Sequence, residues 1–105
     1  MSAPLRDAKW LRVGAQQEGG GNDLHTSDDP AGAQGIRFAC PCGSGHLIII
    51  WFSNPIGGGA AYEPHGWERT GETIEALTLS PSIHVNPGPR SCWHGYVRGG
   101  RAESC

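Results

Sequence analysis

Apolar residues are scarce in this 105-residue chain, at 37%, and 17 glycines and 8 prolines dilute what is there. A chain so composed buries too little surface to offset its ordering entropy with a core alone, so a metal, a disulfide or a partner is expected to help. The length excludes a second full domain. A basic block is missing too. With 8 Lys and Arg against 10 Asp and Glu the formal charge is -2, and nothing gathers a phosphate backbone by counterion release, so nucleic acid is not an expected partner. Met1 to Gly35 holds no apolar run fit for a signal peptide or a membrane span, which gives the cytoplasm as the expected location and no membrane partner. Sustained helical periodicity is also absent, which leaves an all-β fold.

What is present reads as short strands between breakers. Ala8 to Val13 alternates weakly, with Trp10 and Arg12 on one side and Leu11 and Val13 on the other, and suits a short edge strand. Gln16 to Gly35, with Gly19-Gly20-Gly21, Asn22-Asp23 and Ser27-Asp28-Asp29-Pro30, predicts a long flexible loop. Residues 1–35 are thus expected to form an N-terminal segment and residues 36–105 a zinc-binding β domain. Ile36 to Cys40 and His46 to Phe52 look like two strands joined across Pro41 to Gly45. The second of these is the most hydrophobic stretch, and its lack of alternation predicts burial on both faces or a central position in the sheet.

Ser53 to Ala61 contains a triple glycine, but no Lys-Ser/Thr follows to complete a phosphate cradle, so it reads as a loose connection. His65 to Gly71 predicts a short strand and a turn, Ile74 to Leu79 a further extended piece, and Pro81 a kink or an edge position for Ser80 to Val85. After the turn signal Asn86-Pro87-Gly88-Pro89, the runs Cys92 to Val97 and Arg101 to Cys105 bracket Arg98-Gly99-Gly100, which is hairpin chemistry. The expected architecture is a small antiparallel sheet or β-sandwich with long Gly-rich loops.

Soft metal ligands come in pairs at two places, Cys40-Pro41-Cys42 and Cys92-Trp93-His94. Thiolate sulfur and neutral imidazole nitrogen are the usual ligands of structural, tetrahedral Zn²⁺. Residues two apart on an extended segment share a face, so each pair can converge on one ion. In a reducing compartment such pairs are more often metal ligands than disulfides. With nearly half the chain between them, one zinc ion at Cys40, Cys42, Cys92 and His94 would staple the first strand pair to the last hairpin. Cys105 complicates the set. If Gly99 and Gly100 turn the chain, His94 falls opposite Cys105; if Arg98 and Gly99 do, Cys92 does. A set with Cys105 in place of His94, or no metal at all, therefore stays open.

The remaining chemistry-bearing residues have simpler readings. His25 reads as surface, and His46 and His84 as hydrogen-bonded or exposed histidines that stand near the proposed ligands. Trp51, Trp67, Trp93 and Tyr96 read as core and sheet-face residues rather than a platform for bases. Glu63, Glu68, Glu72 and Glu75 form a solvated edge.

Taken together, Phe38-Ala39-Cys40-Pro41-Cys42-Gly43, Trp67, Leu77-Thr78-Leu79-Ser80-Pro81-Ser82-Ile83 and Cys92-Trp93-His94-Gly95-Tyr96-Val97 with Gly100-Arg101 resemble an uncharacterised family of small bacterial and prophage-encoded proteins. The resemblance covers about the last two thirds of the chain. It implies a compact β domain with a zinc site at the positions matched by Cys40, Cys42, Cys92 and His94. Ser44 stands where that family often has a third cysteine.

A closed four-ligand site is the structural arrangement rather than the catalytic one. The leading expectation is therefore a non-enzymatic, zinc-stabilised protein-interaction module, phage-encoded and acting on a host or viral protein. The alternatives are a small zinc-dependent hydrolase with three protein ligands and an activated water, and a nucleic-acid-binding zinc ribbon, against which the acidic balance counts.

Overall fold

The computed structural model describes residues 2–16, 22–41, 46–85 and 93–104. In chain order the strands are β1 (Ser2–Pro4), β2 (Lys9–Gln16), β3 (Asn22–Ser27), β4 (Gly35–Ala39), β5 (Leu47–Trp51), β6 (Glu68–Thr70), β7 (Thr78–Ser80), β8 (Ile83–Val85), β9 (Trp93–Arg98) and β10 (Arg101–Ser104). A single 3₁₀ turn, Ile74–Ala76, precedes β7. Among the described residues there is no α-helix, and no helix long and apolar enough to cross a membrane. Two four-stranded antiparallel sheets, ordered β1-β10-β9-β8 and β3-β2-β4-β5, are accompanied by the two-stranded ribbon β6-β7. The all-β class is as the sequence predicts.

Alternation divides each strand between core and solvent. On β4 and β5, the register places Ile36 opposite Ile50 and Phe38 opposite Ile48, and all four are buried. They join Trp10, Phe52 and Cys40 from their own side of the core, Leu77 and Leu79 from the ribbon side, and Ile83, Trp93, Val97 and Ala102 from the other sheet in one cluster. Trp10 meets Phe52 edge to face, with ring centroids 6.3 Å apart. Burying a side chain of this size stabilises by about 3 kcal/mol or more, as judged by truncation.

Three local expectations are corrected. β2 lies between β3 and β4 rather than at an edge, because the stretch expected to be loop contributes β3, whose Thr26 and Leu24 pair with Leu11 and Val13. Leu11 and Trp10, on opposite faces of β2, are both buried, which is what an interior strand requires. The most apolar strand, β5, is the edge strand of its sheet. Its Leu47 and Ile49 are exposed, at 46% and 45%, so an unbroken apolar run here marks not a central place but an outer face without polar residues.

The C-terminal hairpin takes the first of the two registers open from sequence: Arg98 pairs with Arg101 and Tyr96 with Glu103. Gly99 and Gly100 turn the chain at φ of 56° and 74°, the left-handed region that both central residues of a type I′ turn need. The turn is pinned from outside by Gly100 N–H on Leu77 O (2.8 Å) and Gly99 N–H on the Thr78 hydroxyl (3.0 Å).

Between β7 and β8 the chain crosses from the ribbon to the first sheet through a cis Ser80-Pro81 bond, at the point where Pro81 predicts a kink. On β9, Trp93 folds its indole over Gly95, and its N–H reaches the Ser104 hydroxyl at 3.1 Å. A Cβ at position 95 would stand 2.5 Å from an indole carbon and closer still to the Glu103 carbonyl oxygen. Gly95→Ala is therefore expected to destabilise the fold by about 1–3 kcal/mol, the usual cost of overpacking. Gly59→Ala, where nothing lies within 4 Å, should leave the melting temperature unchanged. Thermal unfolding of the two variants side by side checks this.

Candidate functional site

Packing of β9 sets the site. Its burial alternates, with Trp93, Gly95 and Val97 turned to the core and His94 and Arg98 exposed. β8 pairs with it so that Ile83 faces Gly95, His84 faces His94 and Val85 faces Trp93. Ser82, two residues before His84 on an extended chain, shares its face. Three polar side chains thus gather on the outer surface of the β1-β10-β9-β8 sheet, at its β8 edge.

Their geometry is specific. The Ser82 hydroxyl oxygen lies 3.3 Å from His94 Nε2. With the imidazole proton on Nδ1, Nε2 accepts from the serine hydroxyl, the direction a general base requires. The His84 and His94 rings lie 4.9 Å apart between centroids at an interplanar angle of 33°. From behind, the Trp67 indole N–H donates to the Ser82 carbonyl oxygen at 3.3 Å. Trp67 is itself fixed to the second sheet, its backbone N–H on Trp51 O and its carbonyl accepting from Ser53 N–H, both at 2.8 Å.

Among the described serines, Ser82 is the one whose hydroxyl meets an imidazole. Four of the others are occupied differently: Ser104 accepts from Trp93, Ser2 from Arg101, Ser27 from the Asp29 N–H, and Ser53 donates to the Trp67 carbonyl oxygen. No carboxylate among the described residues bonds to His94. The nearest of that sheet's acids in register, Glu103, is paired with Arg98 at 3.0 Å, and the Arg98 guanidinium lies 4.2 Å over the Tyr96 ring. Glu63, Glu68, Glu72 and Glu75 are exposed, as expected.

The proposed metal ligands are distributed as follows. Cys42, Cys92 and Cys105 lie outside the described residues. Cys40 is buried in the core cluster, its N–H on His46 O at 2.9 Å, while the His94 ring sits on the outer face, engaged with Ser82 and His84. Among the described residues no group of three His, Cys, Asp or Glu side chains stands ready to hold a metal ion. The zinc expectation thus falls mainly on residues outside those described, while the described residues bring Ser82 and His94 together.

Sequence reasoning passed over Ser82, because Ser-Pro-Ser before a β-branched residue is also ordinary turn and edge chemistry. The usable signal was register. Once Ser82-Ile83-His84 is taken as an edge strand beside the strand holding His94, Ser82, His84 and His94 must share a face.

A family model described as "bacterial ubiquitination-like system serine protease (BubE)" matches residues 14–105. No curated protein and no solved structure matches the chain. The family match overturns the expectation of a non-enzymatic zinc-stabilised module, and it favours neither the zinc hydrolase nor the nucleic-acid ribbon. It agrees with the resemblance in so far as the family is a bacterial one, and gives that family a stated activity. With 92 of its 105 residues matched from residue 14 onward, the chain belongs to the bacterial ubiquitination-like system serine protease family.

Proposed function

We propose that this chain is a serine peptidase in which Ser82 is the nucleophile and His94 the general base. The observation that carries the reading is the Ser82 Oγ to His94 Nε2 approach of 3.3 Å on a solvent-facing sheet surface. That distance is at the long end of hydrogen bonding, as catalytic contacts without substrate often are. In the proposed reaction Ser82 Oγ attacks the carbonyl carbon of the scissile bond while His94 Nε2 takes the hydroxyl proton. The tetrahedral adduct collapses, the carbon–nitrogen bond breaks, and His94 returns the proton to the departing amine. Water, deprotonated by the same imidazole, then attacks the acyl ester and frees Ser82.

The substrate in this reading is a protein of a bacterial ubiquitination-like system, cut at a backbone or side-chain amide. Such a system supplies protein partners, and Ser82 immediately precedes the edge strand β8, where an extended chain can reach it without the sheet opening.

A fluorophosphonate probe reports an activated serine directly. The wild-type chain should label at one serine, Ser82→Ala should not label, and His94→Gln should label about 10²–10⁴-fold more slowly, the usual worth of a general base. Labelling of Ser82→Ala at the wild-type rate would remove Ser82 from the role.

Ser104→Ala separates chemistry from structure. It removes the acceptor of the Trp93 indole and should cost about 1 kcal/mol of stability, read by denaturant unfolding, with the labelling rate unchanged.

A further inference from the structure

His94 lacks the group that usually orients a catalytic imidazole. In a Ser-His-Asp arrangement a carboxylate on Nδ1 holds the ring, and here no described carboxylate bonds to it. An exposed histidine on two rotatable bonds, tethered by one hydrogen bond of 3.3 Å, would spend much of its time turned away from Ser82. Something else has to hold the ring.

Resting on the assignment of Ser82 and His94 as nucleophile and base, we infer that His84 is the positioning residue of the site, and that it orients His94 by ring-face contact. Three observations converge. His84 is the direct cross-strand partner of His94, the closest relation two side chains on neighbouring strands can have. The rings are 4.9 Å apart and inclined by only 33°, which is an offset face contact rather than an edge-on nitrogen bond. Both backbones are rigidly placed, because the flanking pairs Ile83–Gly95 and Val85–Trp93 carry Ile83 and Trp93, which are 2% and 6% exposed in the core.

The face contact also suits the direction of the chemistry. His84 stands on β8, Ser82 just before that strand and His94 on β9, so the imidazole is bounded by a ring on one side and the hydroxyl it must reach on another. A ring confined in this way keeps Nε2 on Ser82 without a partner on Nδ1. Occupancy of the productive rotamer, not the strength of the base, is what His84 controls. Its removal should therefore appear in kcat and leave KM alone.

The test compares His84→Ala, which removes the ring, with His84→Phe, which keeps an aromatic face and has no ring nitrogen. Each is measured by hydrolysis of a p-nitrophenyl ester and by the fluorophosphonate labelling rate. His84→Ala should lower kcat and the labelling rate by about 10²-fold, the scale set by misplacing a catalytic group by about 1 Å, with KM within about twofold. His84→Phe should recover most of the loss. In the NMR spectrum the His94 ring protons should lose a ring-current shift in His84→Ala and keep one in His84→Phe.

An unchanged kcat in His84→Ala would overturn the inference, and so would a His84→Phe variant as slow as His84→Ala, which would assign His84 a role through its nitrogens. Should either variant melt early, the NMR comparison on the folded fraction still decides, since an unshifted His94 in the wild type excludes the contact. Failure of the nucleophile assignment is distinguishable, because it shows as labelling that survives Ser82→Ala whatever His84 does.

Discussion

The burial of Trp93 is the constraint on which the site depends. A strand presents successive side chains to opposite faces, so once Trp93 and Val97 are committed to the core, His94 is committed to solvent. Trp93 completes the arrangement by lying over Gly95 and donating to Ser104, which ties β9 to β10. The relative magnitudes show which contact governs. Truncating a buried tryptophan costs about 3–5 kcal/mol, whereas the neutral hydrogen bond from its indole contributes about 1 kcal/mol. Packing therefore orients the imidazole, and the hydrogen bond trims it.

Ser82 reaches the imidazole by a second route, through the ribbon. The chain leaves β7 and enters β8 within two residues, so Ser82 inherits its position from Leu79 on one side and Ile83 on the other, both 2% exposed. The ribbon in turn is held to the loop after β5 by a reciprocal pair: Arg69 N–H donates to Asn54 Oδ1 and Asn54 Nδ2 to Arg69 O, both at 2.7 Å. Trp67 links that loop to the Ser82 carbonyl. Ser82, the proposed nucleophile, is thus referenced to both sheets, and His94, the proposed base, to one. A small domain with a modest core can hold two side chains in register in this way because each is fixed by backbone pairing next to a buried residue.

The all-β class, the β4–β5 pair, the break at Pro81 and the C-terminal hairpin were legible because each rests on local chemistry: β-branched runs, a residue that cannot donate, and glycines at positive φ. β3 was not legible, since Asn22 and Ser27 are turn formers that here pair with β2, and tertiary pairing overrode propensity. The place of β5 was misjudged because an apolar run is ambiguous between a strand covered on both faces and an edge strand with exposed Leu47 and Ile49. At the site, His94 drew attention as a metal ligand because it sits two residues from Cys92, while Ser82 drew none. A serine nucleophile has no signature apart from its base, and the base stands on a different strand, so the pair becomes visible only when β8 is set beside β9.

The position of the dyad on an outer face bears on how it can work. Charge separation between a serine hydroxyl and an imidazole is weakly stabilised where water screens it, and strongly where water is excluded. His94 is exposed and Ser82 partly so; the sheet lies beneath them and β8 ends the sheet beside them. In the proposed reaction the substrate itself would exclude that water. An extended chain laid along the β8 edge would displace water from His84 and His94 as it brought its carbonyl to Ser82. In a scaffold of this size, substrate binding and completion of the proposed catalytic environment would become one event, and a chain that does not cover the two imidazoles would gain little from Ser82 beside them.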